Sequence, residues 1–313
     1  MPQSANTPDT SSQFPEIPHT KAIITWTVAA LCVFATTLYH IGRYINGTSL
    51  EMIPRYLVLP PTAIWSGNWS TLFTGVFVHA TAGNGIPWHL IFNMLYFVLL
   101  GRILEATLTP IKWLLFFMVS GIVSSGAELA FSSQNAIGAS GVVYAMFGLM
   151  WAGRYVHPIW AVVASPKTFT VLIIWGLFCV AATYFGVLRV ANFAHAAGLL
   201  FGLSTGWLLV ARRRTFPASI IMSTLIAITV LSITWMPWSG DWNLWKAEQL
   251  YQHQSFAGAV AYYKKSLRLG EDPVEVWKMI ALAEQRQGHE TMAQQAANEF
   301  ARAWAERQFG IAR

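Results

Sequence analysis

Seven apolar runs constrain this chain more than anything else in it. They cover about residues 22–40, 88–107, 111–130, 137–153, 168–186, 191–211 and 217–236. About 20 apolar residues in helical form cross the ~30 Å hydrocarbon core of a bilayer. Backbone polar groups find no water there, so each run must satisfy its own hydrogen bonds, as a helix does. An all-α membrane protein is the expected fold class. Charged residues are only 11% of the chain, against about 25% in soluble domains.

Charge sets the expected orientation, because Lys and Arg collect in cytoplasmic loops. With the N-terminus inside, the inner segments hold Lys21, Arg102, Lys112, Arg154, Lys167, Arg212, Arg213 and Arg214, and the outer loops hold Arg43, Arg55 and Arg189. Seven spans then place everything after Trp238 outside. Residues 1–20 are polar and read as a disordered cytoplasmic tail. No signal peptide is read there, since no apolar stretch precedes Lys21. Residues 216–238 hold the seventh span. Cys32 and Cys179 fall inside spans and read as packing residues. Arg102 and Glu105, near the inner end of the second span, read as interfacial anchors.

From residue 239 to 313 the composition changes to that of a small soluble helical domain. The positive charge does not extend into it: before residue 241 there are 11 basic and five acidic residues, and from Asp241 onward nine of each. The basic excess therefore reflects loop topology and contact with the bilayer surface. No basic stretch interleaved with aromatics is present, so nucleic acid is not an expected partner. Gln254–Ala259 and Gly288–Ala293 resemble each other at an offset of 34 residues, the tetratricopeptide period. Leu250, Tyr251, Phe256, Ala259, Val260, Tyr263 and Leu267 are the expected packing positions. Such repeats suggest a protein partner.

Ser140 opens the fourth run within Ile137-Gly138-Ala139-Ser140-Gly141-Val142-Val143-Tyr144. His195 lies near the start of the sixth, and His89 starts the second. All three runs enter from the same side, so the three residues share a depth near the outer leaflet. A hydroxyl becomes a useful nucleophile when a base takes its proton, and His195 is the candidate base. No aspartate lies between Asp9 and Asp241, so a two-residue dyad is expected, with Glu128 the one acid near the outer side. Tyr144, four residues after Ser140, shares its helix face; it either stacks on the imidazole or packs in the core. His89 and Asn93 also share a face. They read as donors to an oxyanion, with the Ser140 backbone N–H, or as an interhelical hydrogen bond. Ala194, Gly198, Gly202 and Gly206, facing Gly141, Ala145 and Gly148, make small-residue stripes of the kind that let membrane helices approach closely.

Other chemistries lack their residues. There is no His-Glu-x-x-His for zinc, no pair of membrane aspartates, and no phosphate-binding glycine loop. No metal or cofactor is expected.

The motifs Gly138-Ala139-Ser140-Gly141, Ala194-His195-Ala196-Ala197-Gly198 with Gly202, and His89-Leu90-Ile91-Phe92-Asn93 together resemble the rhomboid intramembrane serine proteases. Gly141-Val142-Val143-Tyr144-Ala145 looks particularly like the bacterial members. The resemblance covers about residues 22–211. It implies a six-helix core, here within 21–215, with Ser140 as nucleophile, His195 as base, and His89 and Asn93 as oxyanion donors. It also implies single-pass transmembrane proteins as substrates and a bacterial inner membrane as location, with a periplasmic C-terminus. Two departures stand out. Trp69-Ser70 replaces the Trp-Arg common in the family's first loop, and nine residues, including Gly83-Asn84-Gly85, separate His79 from His89. The alternative is a non-catalytic relative that binds membrane helices; such proteins lose the serine or the histidine, and this chain keeps both.

Overall fold

The computed structural model describes residues 21–44, 56–81 and 87–310. The N-terminal tail and the Gly83-Asn84-Gly85 insertion lie outside the described residues. Within them every regular element is helical. In order these are α1 (Ile23–Tyr44), α2 (Pro61–Trp65), α3 (Thr71–Thr74), a 3₁₀ turn (Gly75–Phe77), α4 (Trp88–Thr107), α5 (Pro110–Ser132), α6 (Ser140–Gly153) and α7 (Pro158–Val163). Then follow α8 (Pro166–Tyr184), α9 (Asn192–Thr205), a π turn (Gly206–Val210), α10 (Thr215–Thr234), α11 (Gly240–Gln252), α12 (Phe256–Arg268), α13 (Pro273–Arg286) and α14 (Glu290–Phe309).

Six helices, α1, α4, α5, α8, α9 with its π turn, and α10, are long and apolar enough to span a bilayer. The fourth apolar run differs from the others. Its helix has 14 residues and so rises only about 21 Å. It begins at Ser140 rather than at 137, because Gly138 takes φ +96°, a left-handed conformation that suits glycine and stops a helix from starting there. Twelve of the 14 residues are buried. A helix surrounded by protein need not match the thickness of the lipid, so α6 can be short and can hold Ser140 below the surface.

The chain divides into two compact units. The first comprises residues 1–58, 70–128 and 135–229. Its core is aromatic and aliphatic, built around Phe97, Trp113, Phe117, Met146 and Leu149. Here α6 and α9 touch backbone to backbone. A Cβ on Gly198 would strike the Gly141 carbonyl, and one on Gly202 would strike the Ala145 carbonyl. Glu105 is more than an interfacial anchor: its carboxylate accepts from the backbone N–H of Ile24 and Thr25 and from the Thr25 hydroxyl, at 2.7–2.9 Å. It thus satisfies the amides that open α1, where a carboxylate is favoured by the helix dipole.

The second unit comprises residues 59–69, 129–134 and 230–313. Its helices α11–α14 form two antiparallel hairpins. Ser239 caps α11 by accepting from the Trp242 N–H, and Asp272 caps α13 by accepting from the Val274 N–H. All seven packing positions expected from the repeat lie in one cluster with Ala247, Val276 and Ile280. Indoles fasten this unit together. Trp65 Nε1 donates to the Ser232 carbonyl at 3.0 Å, Trp238 Nε1 to the Ala130 carbonyl at 2.8 Å, and Trp245 Nε1 to the Ser66 hydroxyl at 3.2 Å.

Candidate active site

Ser140 is the first residue of α6, and His195 lies in the first turn of α9. Close packing of these two helices brings the side chains together across 55 residues of sequence. His195 Nε2 is 2.7 Å from Ser140 Oγ. For the imidazole to accept the hydroxyl proton, its own proton must sit on Nδ1. That nitrogen is buried and has no hydrogen-bond partner among the described residues, and so no acid among them completes a triad. The Tyr144 ring holds the imidazole from its flat side, with centroids 4.5 Å apart and planes inclined by 11°. Stacking fixes the orientation of the ring without adding a charge.

Glu128 bonds the backbone beside the histidine rather than its imidazole Nδ1. Its carboxylate accepts from the Ala194 backbone N–H at 3.1 Å. It therefore acts at the N-terminal end of α9, one residue before His195, where the opening amides lack intrahelical partners.

The segment leading into Ser140 is pinned by two histidines and a backbone bond. Gly138 N–H donates to the Gly75 carbonyl at 2.9 Å. Ala139 N–H donates to His79 Nε2 at 3.2 Å. His79 Nδ1 faces the Thr36 hydroxyl at 3.3 Å, and that hydroxyl also meets the Phe77 carbonyl. Burial, with a smaller contribution from neighbouring His89, pushes the His79 imidazole down to about 3. It is neutral at physiological pH, as an acceptor of the Ala139 N–H must be.

The His89 ring lies against Gly138, whose added Cβ would sit 2.5 Å from His89 Cε1 and 2.8 Å from Nε2. His89 Nδ1 accepts from the Ala80 N–H at 3.2 Å. In the neutral ring this leaves Nε2 as the donor, beside the residue two before Ser140. Asn93 stands one turn after His89 in α4. Its Nδ2 donates to the His89 carbonyl at 2.7 Å, one turn back in its own helix. An amide has two N–H donors, so one remains for another acceptor.

A narrow cleft reaches Ser140, lined by Val76, Gly121, Ser124, Ile137, Gly138 and Ala194 among others. Ser124 of α5 escaped the sequence reading. Its hydroxyl is buried without a hydrogen-bond partner among the described residues and lies 2.8 Å from where a Cβ of Gly141 would be. The run Ser120, Ser124 and Ser125 inside an apolar span is the signal that would have found it, since polar groups at this depth are costly. Thr36 gives no such signal, because threonines in membrane helices bond their own backbone routinely.

A bundle of membrane helices enclosing a hydrogen-bonded serine and histidine defines a class, the multi-pass integral membrane proteins. Within that class, the Rhomboid domain model matches residues 66–213. It is 30% identical over 196 residues to Rhomboid protease GlpG of Salmonella choleraesuis (strain SC-B67), over 61% of this chain and 66% of that relative. The Salmonella paratyphi A protein of the same name is 29% identical over the same shares. The chain thus spans just under two thirds of the length of the curated relatives it matches.

Proposed function

We propose that this protein is an intramembrane serine endopeptidase that cuts single-pass transmembrane proteins near the outer leaflet. The observation that carries this reading is the 2.7 Å contact between Ser140 Oγ and His195 Nε2, at the end of a cleft inside the bundle. His195 takes the hydroxyl proton as Ser140 Oγ attacks the scissile carbonyl. The carbonyl oxygen becomes an oxyanion, facing the N–H groups that open α6, with His89 Nε2 and Asn93 as side-chain donors. The protonated imidazole then gives its proton to the departing amine, leaving an acyl-enzyme on Ser140. Water, deprotonated by His195, releases the second product. A substrate helix must unwind locally first, because helical hydrogen bonds occupy its carbonyls. Small or helix-breaking residues near the cut follow from that.

A fluorophosphonate probe tests the reading directly. It should label the purified protein at Ser140, and the protein should cleave a model transmembrane substrate in liposomes. Absence of both would favour a non-catalytic, helix-binding relative.

The oxyanion roles carry their own expectation. His89→Ala and Asn93→Ala should each lower kcat by about 10²–10³, the usual effect of losing one oxyanion donor, without abolishing turnover. Full activity of Asn93→Ala on several substrates would reduce that residue to its bond with the His89 carbonyl.

The protein is read as residing in a bacterial inner membrane, N-terminus in the cytoplasm and C-terminus in the periplasm. The excess of Lys and Arg in the inner segments supports this. Alkaline phosphatase needs disulfides that form only outside the cytoplasm. Fused after Arg313 it should be active, and fused after Arg214 inactive; the opposite pattern would reverse the topology. On the outer side, helices α11–α14 are read as a tetratricopeptide-like docking module. Equivalent helices start 33 and 34 residues apart, at Gly240 and Pro273 and at Phe256 and Glu290, which supports a repeat that binds a protein partner on its stacked surface.

A further inference from the structure

The fold assembles a cationic patch that no stretch of sequence contains, from residues 59 positions apart. Arg154 follows α6 directly. Its Nη1 donates to the Trp151 carbonyl at 2.6 Å, its Nη2 to the Tyr155 hydroxyl at 2.7 Å, and its guanidinium carbon lies 3.7 Å over the Trp151 ring. Arg213, in the link between the π turn and α10, comes to the same Tyr155 ring. The guanidinium carbons of Arg154 and Arg213 stand 4.4 Å and 5.8 Å from its centroid. Arg214 lies 5.5 Å from the Trp207 ring. The link is held in place, with Ala211 N–H donating to the Gly206 carbonyl and Arg213 N–H to the Trp207 carbonyl.

Among the described residues nothing neutralises this charge. Residues 56–229 contain two acids, Glu105 and Glu128. Both are bonded elsewhere, Glu105 to the start of α1 and Glu128 to the start of α9. Among the described residues no carboxylate lies within 4 Å of Arg154, Arg212, Arg213 or Arg214. Guanidinium groups gathered without a counter-charge suit an anion whose oxygens accept paired N–H donors, such as a phosphate. The same segments expose apolar side chains: Leu209 and Phe216 are 74% and 77% exposed. Phosphate recognition beside bare apolar surface fits an amphiphile rather than a free ion or a nucleic acid.

We propose that Arg154, Arg213 and Arg214 bind the phosphate of an anionic phospholipid of the phosphatidylglycerol type, whose acyl chains run along Leu209 and Phe216. Clusters of this kind beside membrane helices attract anionic headgroups. The site is separate from Ser140 and does not depend on the proteolytic reading.

Native mass spectrometry of the full-length protein from detergent micelles tests it, with dioleoylphosphatidylglycerol or dioleoylphosphatidylcholine added. The phosphatidylglycerol complex should be about tenfold more abundant, because phosphatidylcholine offers the same phosphate but sets its trimethylammonium cation against the guanidinium groups, and Arg213→Gln/Arg214→Gln should remove that preference. Neither side chain makes a hydrogen bond among the described residues, so the melting temperature in phosphatidylcholine should stay unchanged. Arg213→Lys/Arg214→Lys keeps the charge and should retain preference for phosphatidylglycerol. Equal retention of the two lipids by the wild type, an undiminished preference in the Gln pair, or none in the Lys pair would overturn the proposal. Displacement of the lipid by millimolar inorganic phosphate would also overturn it, by showing a free-anion site.

Discussion

Replacing Ser140 by alanine should lower kcat for cleavage of a transmembrane substrate by on the order of 10⁴–10⁶, the range seen when a nucleophile or its base is removed from a serine hydrolase. His195→Ala should do the same, and the double variant should be no worse than either single one. The reason is the hydrogen bond between Ser140 Oγ and His195 Nε2: the two groups perform one proton transfer, so losing either loses the step. Neither change should unfold the protein. Ser140→Ala removes one hydroxyl, and Tyr144 still packs on the imidazole. Comparative membrane proteomics of cells carrying wild type or Ser140→Ala should then reveal the native substrates as full-length proteins that accumulate in the variant. Cleavage that persists in purified Ser140→Ala would end the serine mechanism. A double variant far slower than either single one would mean that the two side chains act independently.

Gly202→Val should be the most damaging small substitution outside the dyad. A Cβ there would collide with the Ala145 carbonyl and stand 2.8 Å from the Leu149 nitrogen. These are backbone atoms of a buried helix and cannot move aside as a side-chain tip can. The expected loss is about 3 kcal/mol of stability, the upper end of overpacking costs, together with most of the activity. Moving α9 outward would separate His195 from Ser140, and proton transfer requires hydrogen-bond reach. Gly198→Val should behave alike, since its Cβ would meet the Gly141 carbonyl. Gly176→Ala serves as the comparison, because its Cβ would meet only the Tyr144 hydroxyl at an ordinary 3.5 Å. Thermal unfolding in micelles beside the cleavage assay reads both effects. A Gly202→Val protein with normal melting and activity would show that α6 and α9 do not need their backbones in contact.

Much of this molecule is legible in its amino-acid order. An apolar run of bilayer length has one low-energy form in lipid, so six spans follow from residues within each run. The small-residue spacing from Ala194 to Gly206 likewise reports which helix faces can meet. Ser140 and His195 stand out because a polar group at the start of a buried apolar helix needs a reason to be there. The 34-residue spacing between Gln254 and Gly288 recurs in the helix starts at Phe256 and Glu290. Other features required the tertiary structure. The fourth apolar run looks like its neighbours in composition, yet it is a 14-residue helix buried by protein, and only its surroundings make that length sufficient. Glu105 reads as an interfacial anchor and Glu128 as a helix-packing hydrogen bond, but only the packed helices show that they serve the first amides of α1 and α9. Asn93 shares a face with His89 as its spacing requires, but the rotamer that sends its amide to the His89 carbonyl depends on what surrounds it. Thr36, His79 and Ala139 come from three distant segments to pin the loop before Ser140. Hydrophobic runs and helical spacing act within one segment, so sequence order alone determines them. Hydrogen bonds between segments form only after the helices have packed, so the tertiary structure decides them.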